Sequence, residues 1–276
     1  MSSSRLQDSD WLREQYVLLD RSQADIASEV GVGRATVSEA IRSAEVGTVR
    51  CPTCGDAYVS LGSHWKESCE PAPLTDYQHE LLTGHLMSDA STRVRDDRAC
   101  LRWMMTNKSY MEWLDQELGW LTNGFKLIRT AEESAAYTDG DPDKYNALYE
   151  ARTVRHPELV KYHWRKGGQK RFPRIDLTPT VLKVWYCGDG GLGFASGSRY
   201  PGYAYISCAN EEDRPEFLKS LFDPVPSVSP TVRGRGRICF TQSDTNAFLD
   251  WLGGAPPGFE YKWCNESKEK YDKMKP

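Results

Sequence analysis

The sequence contains no apolar run that approaches the roughly 20 residues needed to span a bilayer. Its first residues, MSSSRLQDSDW, lack the basic and then apolar pattern of a secretory signal. No phosphate-binding loop is present, and the glycine-rich CGDGGLGFASG precedes predicted strands, whereas a Rossmann turn follows a strand. These absences argue against a membrane protein and against a nucleotide-dependent small-molecule enzyme, and we expect a cytoplasmic protein.

Positive charge is not in excess, because the 276-residue chain has 35 basic and 39 acidic side chains and a net charge of −4. The charges are unevenly distributed, which matters more for a nucleic-acid partner than their sum. The segment 152–174 holds eight basic residues against the single acid Glu158, and RGRGR contributes Arg233, Arg235 and Arg237. Such patches either bind phosphates or form an ordinary solvated surface with counter-ions.

The eight cysteines do not indicate a disulfide framework in so large a chain. Five lie singly within apolar stretches and are expected to be reduced core residues: Cys100, Cys187, Cys208, Cys239 and Cys264. In CPTCGDAYVSLGSHWKESC, by contrast, the candidate metal ligands are Cys51, Cys54, His64 and Cys69. Four such ligands predict a closed, structural Zn²⁺ site that would supply the folding energy of this short segment. Chance clustering of the cysteines is the alternative.

The first 47 residues indicate short helices. SQADIASEV has an apolar side formed by Ala24, Ile26, Ala27 and Val30. GVG ends this helix, and RATVSEAIR predicts a second with an apolar side formed by Ala35, Val37, Ala40 and Ile41. The pattern resembles the helix-turn-helix of resolvases and small regulators, which implies major-groove or phosphate contacts for Arg34, Thr36, Ser38 and Arg42. A small helical packing unit that binds nothing is the alternative, and the acidity of residues 1–75 supports it.

Residues 76–265 contain a weak internal repeat. Each copy begins with an apolar helix of about three turns, in YQHELLTGHLMSDASTRV and in TPTVLKVWYCGDGGLGFA. Extended stretches follow, ACLRWMM in the first copy and YAYISC and GRICFT in the second. Each copy later has an amphipathic helix, KSYMEWLDQELGWL or SDTNAFLDWLGG. This order of helices and strands predicts an α+β fold.

An aspartate ends the first helix of each copy, Asp89 in LTGHLMSDA and Asp189 in LKVWYCGDG. Small residues at Gly84, Ser88 and Gly188 would let the two helices approach closely and bring the carboxylates together at one end. Adjacent carboxylates repel each other unless a divalent cation such as Mg²⁺ lies between them. Such a centre suits phosphodiester hydrolysis. The alternative is that both aspartates only end helices before turns.

These motifs resemble those of the LAGLIDADG homing endonuclease family, with Asp89 and Asp189 as the final acids. HPELVKYHWRKGGQKRFPRIDLTPT is similar to the family's junction between repeats, so the resemblance covers about 190 residues. It implies a single-chain pseudo-dimer of tandem αββαββα repeats, in which a central pair of motif helices supports a saddle of two sheets in the DNA major groove. Small departures are Ala90 in place of the terminal glycine, and Lys183 and Val184, which are larger than usual.

The family uses basic and polar side chains near its metal ions, which implies a catalytic role for Lys170 in GGQKRFP and for Gln242 at the end of a strand. Lys170 as an exposed turn residue is the alternative. Further candidates are Lys166 or Arg171 in place of Lys170, and Thr106 or Asn107 as the counterpart of Gln242. The saddle implies DNA contacts from strand residues, namely Arg93, Arg95, Arg102, Arg199, Tyr203, Arg233, Arg235 and Arg237.

Together these patterns divide the chain into a helix-turn-helix (1–47), a zinc module with linker (48–75) and two repeats (76–177 and 178–276). The expected function is a monomeric, Mg²⁺-dependent endonuclease that cuts both strands of double-stranded DNA at a specific site. The alternative is a catalytically inactive DNA-binding regulator, or an RNA-splicing maturase, with the same fold. The two acids favour cleavage, since a pure binding protein gains nothing from juxtaposed carboxylates.

Overall fold

The computed structural model describes three stretches of the chain, residues 3–136, 145–194 and 202–275. They form two compact units. The first comprises the chain up to Pro73 and Arg93–Val160, and the second comprises Leu74–Thr92 and the chain from Lys161 onward. None of the helices in the described stretches is both long and apolar enough to cross a membrane.

The first unit opens with three short helices, α1 (Ser9–Arg13), α2 (Gln23–Val30) and α3 (Arg34–Ser43). The Ser22 hydroxyl caps α2, and Gly31 ends it with a φ of 73°, a left-handed conformation that glycine adopts without strain. Apolar residues of both helices form a small core that includes Ile26, Ala27, Val30, Val37 and Ile41. The prediction that Ala24 and Ala35 belong to the apolar sides of these helices is wrong. Both alanines are exposed and lie outside this core.

A small module follows, with the antiparallel strands β1 (Val49–Arg50) and β2 (Ala57–Tyr58) and the helix α4 (Leu61–Glu67). The Ser60 hydroxyl accepts a hydrogen bond from the backbone amide of Ser63 and so caps α4. Only Val49, Cys51, Leu61 and Trp65 form its buried cluster. An apolar core this small leaves most of the module's stability to other interactions.

Helix α5 (Asp76–Met87) belongs to the second unit, and the chain then returns to the first to build a four-stranded sheet. Its strands are β3 (Ser91–Arg95), β4 (Arg98–Met105), β5 (Thr122–Arg129) and β6 (Leu148–Thr153), in the order β3-β4-β6-β5. This unit also contains the helices α6 (Lys108–Leu118), between β4 and β5, and α7 (Ala131–Ala136), after β5. Helix α6 buries Tyr110, Met111, Leu114 and Leu118, as its amphipathic pattern predicts.

The second unit continues with the hairpin β7 (Arg165–Lys166) and β8 (Gln169–Lys170) and with helix α8 (Pro179–Asp189). Its four-stranded sheet has the order β11-β12-β10-β9 and consists of β9 (Gly190–Gly193), β10 (Tyr203–Ser207), β11 (Thr231–Arg233) and β12 (Arg237–Cys239). The unit also contains the helices α9 (Pro215–Ser220), α10 (Gln242–Leu252) and α11 (Lys268–Met274). Large aromatic residues fill the core, including Trp185, Tyr186, Phe222 and Phe248.

Each sheet has its first and third strands at the edges and its second and fourth in the middle. The two amphipathic helices, however, occupy different places in this order, since α6 precedes the third strand of its sheet and α10 follows the fourth. Amphipathic periodicity predicts a helix but not its place in the topology. The expectation that the five scattered cysteines are reduced core residues is confirmed, because all five are free and buried.

Candidate functional site

Helices α5 and α8 cross at their glycines. A Cβ atom added at Gly84 would lie 2.6 Å from the carbonyl oxygen of Val181 and 2.6 Å from the Cβ of Val184. A Cβ added at Gly188 would lie 2.5 Å from the Cβ of Ser88. These distances leave no room for a side chain at either glycine, so the two helix backbones approach each other directly.

Asp89 and Asp189 directly follow the facing residues Ser88 and Gly188, so both carboxylates lie at the same end of the helix pair. Burial, together with the charge of Asp89, raises the pKa of Asp189 from 3.8 to about 7. The site also lies at the carboxyl ends of α5 and α8, where the helix dipoles add negative potential. A set of oxygen donors with concentrated negative charge fits Mg²⁺.

Lys170 lies beside this pair, at the end of β8. Its ammonium group donates hydrogen bonds to the carbonyl oxygens of Ser88 and Ala90, the latter at 3.4 Å. Burial lowers the pKa of Lys170, and the negative charges of Asp189 and Asp89 oppose that shift. The structure therefore brings Lys170 to the two carboxylates, unlike an exposed turn residue.

A second lysine in the site was not found from the sequence. Lys262 is buried, and its ammonium group donates to the carbonyl oxygens of Cys187, at 2.5 Å, and Tyr186, at 3.3 Å. Burial lowers the pKa of Lys262 to about 8, and Cys187 and Asp189 oppose that shift. The sequence contained one signal for Lys262, namely a similar spacing in the two repeats. Lys262 follows Asp189 by 73 residues, and Lys170 follows Asp89 by 81.

The other predicted polar residues have different places. Gln242 does not end a strand, because β12 ends at Cys239 and the Thr241 side chain caps α10, making Gln242 its first residue. Thr106 and Asn107 follow the second strand of their sheet, whereas Gln242 follows the fourth, so they are not its topological counterparts. The two alternatives to Lys170 have other surroundings. Lys166 is exposed, and Arg171 forms an ion pair with Asp213 and donates to the carbonyl oxygen of Asn210.

The four predicted zinc ligands, Cys51, Cys54, His64 and Cys69, come together in the first unit. Their ligand atoms all lie within 4.8 Å of one another, with the sulfurs of Cys51 and Cys69 3.9 Å apart and the sulfur of Cys54 3.4 Å from Nε2 of His64. Zinc–sulfur bonds of about 2.3 Å in a tetrahedron place two sulfurs about 3.8 Å apart. The cluster therefore has the size and the donor types that suit Zn²⁺.

The surroundings of this cluster also favour a metal. Burial raises the pKa of Cys51, but hydrogen bonds from the backbone of Cys54 and from the Trp65 indole outweigh it and lower the pKa to about 6. The lowered pKa favours the thiolate form of Cys51, which is the form that binds metals. Nδ1 of His64 is hydrogen-bonded to the Ser68 hydroxyl at 3.1 Å, which leaves Nε2 facing the sulfurs.

One predicted DNA-contacting residue of the first sheet, Arg102, belongs to a charge cluster that the sequence did not reveal. Arg102 on β4 pairs directly with Arg152 on β6, so the two guanidinium groups lie on one face. Both form ion pairs with Glu150, which is only 2% exposed. Arg93 and Arg95 on β3 are exposed. A buried acid therefore compensates and orients two like charges that would otherwise repel.

In the second sheet Tyr203, Arg233, Arg235 and Arg237 are exposed, and the guanidinium of Arg237 lies 3.6 Å from the centre of the Tyr205 ring. Arg199 lies outside the described residues. In the N-terminal helices the predicted contact residues Arg34, Thr36, Ser38 and Arg42 are all exposed, and Arg42 pairs with Glu39. These side chains are accessible to a partner.

Two comparisons with known proteins, one with family models and one with solved structures, found matches. The model of the LAGLIDADG DNA endonuclease family matches residues 79–248. The chain is similar to a solved structure of the homing endonuclease I-WcaI bound to its DNA recognition sequence, at 17% identity over 69% of this chain and 87% of that chain, with a TM-score of 0.57. It is also similar to the LAGLIDADG homing endonuclease I-GzeII in complex with its DNA target, at 11% identity over 71% and 86% of the two chains, with a TM-score of 0.35.

No curated protein matches the chain. At 17% identity, the likeness to I-WcaI concerns the fold alone. The family model, in contrast, spans more than half of the sequence and includes both motif aspartates, Asp89 and Asp189. The chain therefore belongs to the LAGLIDADG DNA endonuclease family.

Proposed function

We propose that this protein is a site-specific endonuclease that hydrolyses one phosphodiester bond in each strand of double-stranded DNA, acting as a monomer with internal pseudo-two-fold symmetry. The observation that carries the proposal is the contact between α5 and α8, which brings Asp89 and Asp189 to one end of a tightly packed helix pair. A protein that only bound DNA would have no use for two juxtaposed carboxylates, whose repulsion costs stability.

Asp89 and Asp189 would hold Mg²⁺, each from its own motif helix. When bound, Mg²⁺ lowers the pKa of a coordinated water and stabilises the charge that develops on the phosphate. Lys170 and Lys262 would place one ammonium group on each side of the carboxylate pair, where they neutralise the two scissile phosphates. Gln242 stays a candidate for positioning water.

The DNA would lie on the strands of the two sheets, since a β-ribbon fits the major groove and reads its donor and acceptor pattern. In the first sheet, Glu150 would hold Arg102 and Arg152 in fixed orientations toward bases. In the second, the exposed arginines of β11 and β12 would have this role. Zn²⁺ bound by Cys51, Cys54, His64 and Cys69 would stabilise the module, and α2 and α3 would contact DNA as a helix-turn-helix.

The test is a cleavage assay on a duplex from the uninterrupted form of the locus that carries the gene. We expect Mg²⁺-dependent cleavage of both strands, and we expect Asp89→Asn and Asp189→Asn to abolish cleavage while DNA binding persists. Asp250→Asn, at an exposed position on α10, is the matched control and should cut normally. Specific DNA or RNA binding without cleavage by the unaltered protein would instead support the regulator or the maturase.

A further inference from the structure

A basic cleft of about 640 Å³ lies in the first unit, between the cysteine-rich module and the first sheet. One wall is Val59–Ser63 with Lys66, from the module, and the other is the β3–β4 turn with the end of β6. Its charged lining residues are Lys66, Arg95, Asp96, Asp97, Arg98, Arg152 and Arg155. Five positive charges thus face two negative ones.

Three of the five basic residues, Arg95, Arg98 and Arg152, already have partners within the unit. Arg98 donates to the carbonyl oxygen of Gly62 at 2.9 Å and lies 3.9 Å from Asp97, and Arg152 pairs with Glu150. Lys66 and Arg155 are exposed, and neither has an ion pair in the described part of the chain. Arg95 is three-quarters exposed, and Asp96 is its only ion-pair partner among the described residues, at 3.9 Å. The cleft therefore presents unneutralised positive charge to a ligand.

The two walls are held together by direct contacts. Besides the Arg98 bond, the side-chain amide of Asn123 on β5 donates to the carbonyl oxygen of Val59 at 2.9 Å. Trp65 of the module packs edge-on against Trp120 and His156, with ring centres 5.6 and 5.4 Å apart. These aromatic contacts and hydrogen bonds fix the module on the sheet, so it does not act as a finger on a flexible tether.

The cleft is also continuous with the strand face proposed to read DNA. Arg152 lines the cleft and lies directly opposite Arg102 on the neighbouring strand. We infer that the cleft binds the phosphate backbone of DNA just beyond the bases contacted by the first sheet, with Lys66 and Arg155 as its main phosphate ligands. The inference rests on the proposed function, and it makes the cysteine-rich module an extension of the DNA-binding surface on one side only.

The test compares Lys66→Ala/Arg155→Ala with the control Lys108→Ala/Lys219→Ala, which removes two charges outside the cleft, one at an exposed and one at a half-buried position. The probe is a duplex of about 60 base pairs (about six helical turns) from the uninterrupted form of the locus. Its binding is measured between 50 and 200 mM salt. Loss of two phosphate contacts should make the negative slope of log K, the logarithm of the binding constant, against log salt shallower by about 2. It should also reduce the affinity for DNA at low salt. In hydroxyl-radical footprinting, the cleft variant should protect a shorter length of DNA than the unaltered protein, and the protected region should be lost at one end of the site only.

Failure of this inference is distinguishable from failure of the proposed function. If the unaltered protein neither binds nor cuts the duplex, the endonuclease proposal fails, and the inference fails with it. If the unaltered protein cuts but the cleft variant has the same salt slope and the same protected length, only the inference is overturned. A loss of binding to single-stranded RNA of the same sequence, with binding to the duplex unchanged, would assign the cleft to RNA and would also overturn it.

Discussion

Asp189→Asn is expected to stabilise the magnesium-free protein while abolishing the proposed cleavage activity. The structure raises the pKa of Asp189 from 3.8 to about 7, through burial and then through the charge of Asp89. Each unit of pKa difference between the folded and unfolded protein corresponds to about 1.4 kcal/mol. Ionisation of this group at pH 8 therefore lowers the free energy of unfolding by at most about 4 kcal/mol. The side chain is partly exposed, and we expect a gain of about 2 to 4 kcal/mol for the asparagine variant.

The pH dependence follows from the direction of the shift. Because folding raises the pKa of this acid, its favourable contribution to stability is complete below about pH 4 and is lost as the pH rises to about 7. The difference between Asp189→Asn and the unaltered protein should therefore grow from about pH 4 to about pH 7 and then level off. Added Mg²⁺ should reduce the difference, because it binds and stabilises only the protein that retains both carboxylates.

The measurement is urea unfolding, followed by tryptophan fluorescence, in magnesium-free buffer. No chelator is added, because it would also remove the zinc proposed to bind the cysteine cluster. Both proteins carry that cluster, so its own pH dependence cancels in the comparison. An Asp189→Asn variant that is no more stable than the unaltered protein at pH 8 in magnesium-free buffer would refute the reasoning about the carboxylate pair.

Three further predictions concern other parts of the molecule. Gly84→Ala should destabilise the fold by about 1 to 3 kcal/mol, because the new methyl group has no space, whereas Gly254→Ala, with nothing within 4 Å, should be nearly neutral in the same urea assay. Lys262→Met should reduce single-turnover cleavage by roughly 100-fold with DNA binding intact, and an unchanged rate would remove Lys262 from the site. Purified protein should contain one zinc per chain, and Cys54→Ser should lower both the zinc content and the melting temperature; a full complement of zinc in the variant would contradict the ligand set.

Local patterns predicted the parts of the site that depend on short spacings. The two motif helices could be aligned because small residues and an aspartate recur at matching positions, and the structure brings Gly84 against Val184 and Ser88 against Gly188. The cysteine-rich cluster could be predicted for a similar reason, since its ligands lie within 19 residues of sequence. Both predictions needed only the geometry of one helix or one knuckle.

Long-range pairing could not be predicted in the same way. The partner of Arg102 is Glu150, on a strand 48 residues further along the chain, and no local pattern marks a buried acid there. Lys262 reaches the site from a short 3-10 helix after the last sheet strand, so its role depends on packing. The misplacement of Gln242 has a more local cause, because Thr241 forms a helix cap that competes with continuation of the strand.

If the first sheet reads DNA as proposed, the Glu150 cluster has a consequence for efforts to change the recognised sequence. Replacing Arg102 or Arg152 alone would leave the buried carboxylate with less compensation, and an underpaired buried charge typically costs several kcal/mol. Libraries that randomise one arginine at a time would then discard variants for misfolding before their DNA preference was tested. Retargeting this half of the protein should therefore treat positions 102, 150 and 152 as a single design unit, with neutral residues at 150 allowed whenever either arginine is removed.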